Sequence, residues 1–124
     1  MEIGTIGEEL NIQFRQGADF EFVAEMTNDD DSPVNLTGYT VRGAIRRYRN
    51  VEEASVALTC SIVTPLSGTY KVALSAANTR LLKAGEKLDD AASKYVWDLE
   101  LVAPDNKVLP LYYGIVTVQR RVAA

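Results

Sequence analysis

The sequence contains no histidine. That removes the commonest general base and the commonest metal ligand together. Serine or cysteine hydrolysis of the usual kind needs a histidine partner, so it is excluded as well. Cys60 is the only cysteine, which rules out an intrachain disulfide and a thiolate zinc site. A lone cysteine is compatible with folding in a reducing cytoplasm. No apolar run approaches the roughly 18 residues of a membrane-spanning helix. Met1-Glu2-Ile3-Gly4 lacks the basic and apolar regions of a signal peptide, so we expect cytoplasmic synthesis and folding. Gly4 and Gly7 lie too far from any strand-to-helix transition to form a phosphate-binding loop. Lysine- or carboxylate-based chemistry is formally left.

What is present is a rhythm of two. The chain has 124 residues, 47% of them apolar, enough for one domain with a real core. Leu10, Ile12 and Phe14 alternate with Asn11, Gln13 and Arg15. Phe20, Phe22, Ala24 and Met26 alternate with Glu21, Val23 and Glu25. Tyr39, Val41, Gly43 and Ile45 repeat the pattern, as do Val56, Leu58, Cys60 and Ile62, and then Tyr70, Val72 and Leu74. The clearest run is Tyr95, Trp97, Leu99 and Leu101 against Asp98 and Glu100, and a last one covers about Leu109 to Arg120. Such alternation marks half-buried strands, because successive side chains point to opposite faces of a sheet.

Turn chemistry falls between the runs. Asn28 to Pro33 reads as a polar loop, and Thr64 to Gly68 as a turn. Ala103 to Lys107 reads as a hairpin loop that makes the last two strands antiparallel neighbours. Ser75 can cap one helix, Ala76 to Ala84, with Gly85 placed to end it; Glu86 to Ser93 reads as a loop. The fold class expected is all-β: an antiparallel two-sheet sandwich of about seven strands with one short helix. Its inner face would hold Phe20, Phe22, Tyr39, Val41, Ile45, Leu58, Tyr70, Val72, Leu74, Trp97, Leu99 and Leu101. Residues 1–9 alternate poorly and read as an N-terminal arm, leaving 10–124 as a single sandwich domain.

Charge is unevenly spread. Residues 1–31 hold nine acids and one base, net −8, while the remainder holds twelve bases and eight acids, net +4. Opposite charge at two ends suits contacts between copies or with a partner; the plainer reading, which we favour, is solvated strand faces. Asp98 and Glu100 would share one side of a strand, as a glycosidase carboxylate pair would, but alternation with Trp97 and Leu99 already accounts for both. Asp29-Asp30-Asp31 lacks the spacing, glycine and distal glutamate of a calcium loop and reads as an acidic turn. Arg42, Arg46, Arg47 and Arg49, with Tyr48 among them, form the strongest local charge signal. They fit a solvated edge or a protein interface, where arginine and tyrosine are enriched. The acidic overall balance argues against nucleic acid. Cys60 and Trp97 are in phase with apolar neighbours and read as core; a carbohydrate-stacking surface is the other use of such a tryptophan.

Several stretches, in order, resemble small virion proteins of tailed bacteriophages. Phe14-Arg15-Gln16-Gly17-Ala18-Asp19-Phe20 is similar to the opening of that family, and Pro33-Val34-Asn35-Leu36-Thr37-Gly38-Tyr39-Thr40-Val41-Arg42 to its next element. Gly68 to Ser75 with Asn78-Thr79, and Tyr95 to Leu101 followed by Gly114 to Val118, resemble its second half. The N-terminal modules of phage baseplate upper proteins look similar in outline. Departures are Pro110 and the pair Tyr112-Tyr113, where the family shows an arginine- and leucine-rich stretch, and a long loop from Lys87 to Lys94.

The resemblance implies an immunoglobulin-like sandwich and a non-enzymatic role in the particle, docking neighbouring tail, neck or baseplate proteins. It implies multiple symmetric copies, a virion location after synthesis in the host cytoplasm, and no catalytic residue, cofactor, metal, nucleic acid or membrane. An N-terminal arm would then order on assembly. The interface residues expected are Arg42, Arg46, Arg47, Tyr48, Arg49, Tyr112 and Tyr113. The alternatives are a decoration protein on the phage head and a carbohydrate- or receptor-binding module using exposed Tyr112 or Tyr113.

Overall fold

A computed structural model describes residues 7–47, 56–82 and 92–120. The strands in these residues are β1 (Glu8–Glu9), β2 (Ile12–Arg15), β3 (Phe20–Glu25), β4 (Thr40–Arg46), β5 (Val56–Ala57), β6 (Thr59–Thr64), β7 (Thr69–Leu74), β8 (Ala92–Val102) and β9 (Val108–Gln119). A single helical turn, α1 (Ala76–Thr79), follows β7. Two pairs of these segments are halves of longer strands. β1 and β2 run along β9 in one register, Glu8 opposite Tyr112 and Ile12 opposite Val116. β5 pairs with β4 and β6 with β7, so the chain crosses between sheets at Leu58. Seven strands result.

They form two sheets. One has the order β1-β9-β8-β4-β5, with β2 also on β9; the other is β3-β7-β6. Counting seven strands, the second, fifth and fourth make one sheet, and the third, sixth and seventh the other. That is the order of an immunoglobulin-like sandwich, with the first strand moved onto the seventh. Because β1 and β2 pair with β9 in parallel, the sandwich is not wholly antiparallel, as alternation alone led us to expect. The expected arm does not extend through residue 9: Glu8 and Glu9 belong to the sheet, and residues 1–6 lie outside the described residues.

The interior follows the alternation. Val41, Ile45, Leu58, Tyr70, Val72, Leu74, Trp97, Leu99 and Leu101 are all buried, each worth about 1.5–3 kcal/mol of apolar burial. Val116 and Val118 of β9 join them, with Phe14 of β2. Leu36 and Leu82 are fully buried from outside any strand. Leu36 is held there by its N–H donating to the Pro65 carbonyl at 2.9 Å. Phe20, Phe22 and Tyr39 are only half-buried, contrary to expectation. The first two sit on β3, which among the described residues has a paired strand on one side only.

The helix is shorter than its composition predicts. Ser75 caps it as expected, its side chain accepting from the Asn78 N–H at 3.3 Å. It ends at Thr79, whose hydroxyl is turned to tertiary work. That hydroxyl donates to the Ala18 carbonyl at 2.9 Å and accepts from the Gly17 N–H at 2.9 Å. Asn78 and Thr79 are also poor helix formers. Lys83 to Gly85 lie outside the described residues, as does most of the expected loop from Glu86; its last two residues, Ala92 and Ser93, already belong to β8. The hairpin between β8 and β9 is as expected. Ala103 N–H donates to the Lys107 carbonyl at 2.8 Å, and Asn106 takes the left-handed conformation, φ 70°. No helix among the described residues is long and apolar enough to cross a membrane.

Candidate functional site

Arg42 and Arg46 lie on the outer face of the larger sheet, and Arg47 follows directly after β4. Register sets Arg42 opposite Glu100 and Arg46 opposite Val96. Arg42 Nε is bonded to Glu100 Oε1, and Arg46 Nη1 reaches Asp98 Oδ1 at 3.9 Å. Arg47 Nη1 donates to the Lys94 carbonyl at 2.8 Å, and its guanidinium lies 4.9 Å from the Tyr95 ring centroid. Arg42 and Arg46 thus fasten β4 to β8 with Glu100 and Asp98 as counter-ions, and Arg47, just after β4, reaches β8 through Lys94 and Tyr95. Such pairs contribute up to about 1 kcal/mol each at a solvated surface. Tyr48 and Arg49 lie outside the described residues.

The two tyrosines of β9 separate. Tyr112 is half-buried and stacks on Trp97, with ring centroids 6.3 Å apart and planes 16° apart. Tyr113 points to the opposite face, beside Asp98 in register. Tyr112 therefore does not offer the bare exposed ring that stacking on a sugar requires. The acidic loop is knit to itself. Asp30 Oδ1 accepts from the Ser32 hydroxyl at 2.6 Å and from its N–H at 3.0 Å. These two bonds hold the Asp30 carboxyl below its usual pKa. Among the described residues no three acidic or cysteine side chains gather as a metal site.

The side of the sandwich where β1 and β2 approach β3 is different. An aromatic ladder runs along it: Phe14 to Phe20 at 5.3 Å, Phe20 to Phe22 at 6.0 Å and Phe22 to Trp97 at 6.3 Å between centroids, ending on Tyr112. The N-terminal strand is pinned beside it at Leu10. The Trp97 indole N–H donates to the Leu10 carbonyl at 2.8 Å. That carbonyl is thereby turned inward, and Asn11 Oδ1 accepts from the Ile115 N–H at 2.9 Å. Gly114 makes the approach possible, since a Cβ there would lie 2.2 Å from the Leu10 carbonyl oxygen. Gly7, φ 86°, lets the chain turn against the Leu111 backbone just before β1.

Neither protein-family models nor curated proteins give a match to this chain. The site has to be read from its own geometry.

Beyond the pin, a cavity of about 330 Å³ opens between β1, the end of β3 and the start of β9. Gly7, Glu8, Glu25, Met26, Thr27, Tyr70 and Leu109 to Tyr112 line it. Tyr70 lines it and is buried, with Tyr112 as its neighbour there. Burial first, then the Tyr112 neighbour, push the Tyr70 phenol far above its usual range; Cys60 and Glu8 add to this. The lining therefore joins apolar walls, two phenols and two carboxylates.

Of the residues expected to act, Arg42, Arg46 and Arg47 are each engaged at successive points along β8, and Tyr112 stands elsewhere, in the cavity wall. Glu8, Glu25, Met26 and Leu109 escaped sequence reasoning because parallel docking of the N-terminal strand on β9 joins segments about a hundred positions apart. One local signal was available. Val23 is apolar in the polar phase of its strand, between Glu21 and Glu25, and is 58% exposed.

Proposed function

We propose that this protein is a non-enzymatic structural component of a tailed-bacteriophage particle, present in multiple copies and docking neighbouring tail, neck or baseplate proteins. It is made in the host cytoplasm and ends in the virion. One observation carries the docking reading: the β3 side of the sandwich is unfinished. Phe20 and Phe22 are half-covered there, and among the described residues β3 has a strand on one side only. An unpaired edge is a template for pairing with another chain, and natural proteins keep one uncovered at a cost in solubility. The resemblance to small virion proteins supplies the setting. The arginine ladder supports the role in another way, by bracing the opposite face.

Mass spectrometry of washed particles tests the reading. The protein should appear in many copies per particle; its absence overturns the proposal. Gold-labelled antibody should mark the tail or its base. Label on the head would favour a decoration protein instead.

A further inference from the structure

We propose that the open edge of β3 and the adjoining cavity together receive an extended, basic segment of a neighbouring particle protein, added as a further strand with one lysine or arginine side chain lodged between Glu8 and Glu25. The inference rests on the docking reading and specifies the chemistry of the partner.

The backbone is set for it. Met26 N–H donates to the Gly68 carbonyl at 2.8 Å, in the register that pairs Phe20 with Leu74 and Glu25 with Thr69. In an antiparallel pair the bonded positions recur every second residue. Even-numbered residues of β3 therefore bond to β7, and the N–H and C=O groups of Glu21, Val23 and Glu25 face the open edge. Among the described residues no strand meets them.

The side chains agree. On the inner face of β7, Tyr70, Val72 and Leu74 are at most 3% exposed, whereas Phe20, Phe22 and Ala24 beside them on β3 stay half-open. One more strand would close that row. On the outer face Val23 offers an apolar contact between two acids.

Charge selects the occupant. Glu8 and Glu25 line the cavity and Glu9 stands on the same strand as Glu8, whereas Glu21 of β3 is already paired with Lys71 at 3.1 Å. The volume sits at the lower end of the roughly 300–1,000 Å³ of small-molecule sites, suited to one long side chain. Met26, Leu109 and Leu111 suit the methylene stem of a lysine or arginine, whose charged end would reach the carboxylates. A second copy of this chain is a poorer occupant. Its arginine strand β4 already lies between β8 and β5, with Arg42 and Arg46 engaged by Glu100 and Asp98.

The test titrates the full-length, ¹⁵N-labelled chain with a synthetic nine-residue peptide alternating lysine with valine. A peptide with glutamate in place of lysine, and one with central prolines, serve as controls. The lysine peptide should shift the amides of Glu21, Val23 and Glu25 and the signals of the cavity, with affinity falling as salt rises. E8Q/E25Q should weaken it about tenfold, as expected for losing two partly screened ion pairs. V23P should weaken it similarly while the melting temperature holds, because that N–H faces the open edge, where proline is tolerated. No binding at millimolar peptide, equal binding of the glutamate peptide, shifts mapping elsewhere, or self-association of the chain through β3 would each overturn the site. A chain found in particles that ignores the lysine peptide refutes the site alone. A chain absent from particles that binds it refutes the particle role alone.

Discussion

Trp97 combines two functions that no aliphatic residue at its position could. Its ring joins Phe22 to Tyr112 in the interior, and its indole N–H satisfies the Leu10 carbonyl turned in from the N-terminal strand. Trp97→Phe keeps most of the apolar bulk and leaves that carbonyl unpaired. We expect a loss of about 1–3 kcal/mol in urea unfolding, with faster amide exchange at residues 8–11. A loss of stability without that local exchange would mean that packing alone was disturbed. Tyr70 makes a second prediction at this scale. Burial raises its pKa in the folded chain, so the unfolded chain releases the proton first. The stabilising contribution is complete below the ordinary tyrosine value of about 10 and is lost as pH rises beyond it. The melting temperature of the native chain should fall more steeply above about pH 10 than that of Tyr70→Phe. Cys60 follows the same sign, since burial raises its thiol pKa. Its alkylation at mildly alkaline pH should be slower in the native chain than in urea.

At the scale of elements, the N-terminal strand is where the fold departs most from its sequence rhythm. Gly114→Ala would press a methyl group on the Leu10 carbonyl oxygen. The strand must then shift, breaking the Trp97 bond and the Asn11 to Ile115 bond together. We expect a drop of at least several degrees in Tm and loss of amide protection confined to β1, β2 and the middle of β9. A uniform loss across both sheets would show that the pin is not a local device. The same strand explains what the sequence made legible and what it hid. β3, β4, β6, β7, β8 and β9 announce themselves by alternation, and the hairpin by Pro104-Asp105-Asn106, because these are local properties. Parallel pairing of Ile12 with Val116 leaves no local trace. Leu36 and Leu82 plug the core from loops, where no period marks them. The arginine cluster was visible, but its partners Asp98 and Glu100 were fixed only by strand register. The cavity was invisible for the same reason as the pairing that builds it.

For the whole molecule, charge is sorted by the fold. Of the acids in the first thirty-one residues, Glu8 and Glu9 lie on β1, Glu21 and Glu25 on β3, Asp19 just before it and Asp29 to Asp31 in the loop after it, while Glu2 lies outside the described residues. The arginines of β4 lie two strands away from β9 across the larger sheet. An uncovered β3 edge ought to recruit other copies, because its strand contains no proline and presents half-open phenylalanines and Val23. Glu21 and Glu25 on the same outer face oppose this, since two copies paired edge to edge would bring like charges together. Glu21→Gln/Glu25→Gln should therefore shift the chain toward larger species than the native one forms, growing with concentration in sedimentation velocity. Adding Val23→Lys to that background should restore the small species, because it puts charge back on the same edge without touching the bonds to β7. If the double variant sediments like the native chain, the edge is protected by something other than its glutamates, and the acidic side loses its role in keeping β3 available for a basic partner.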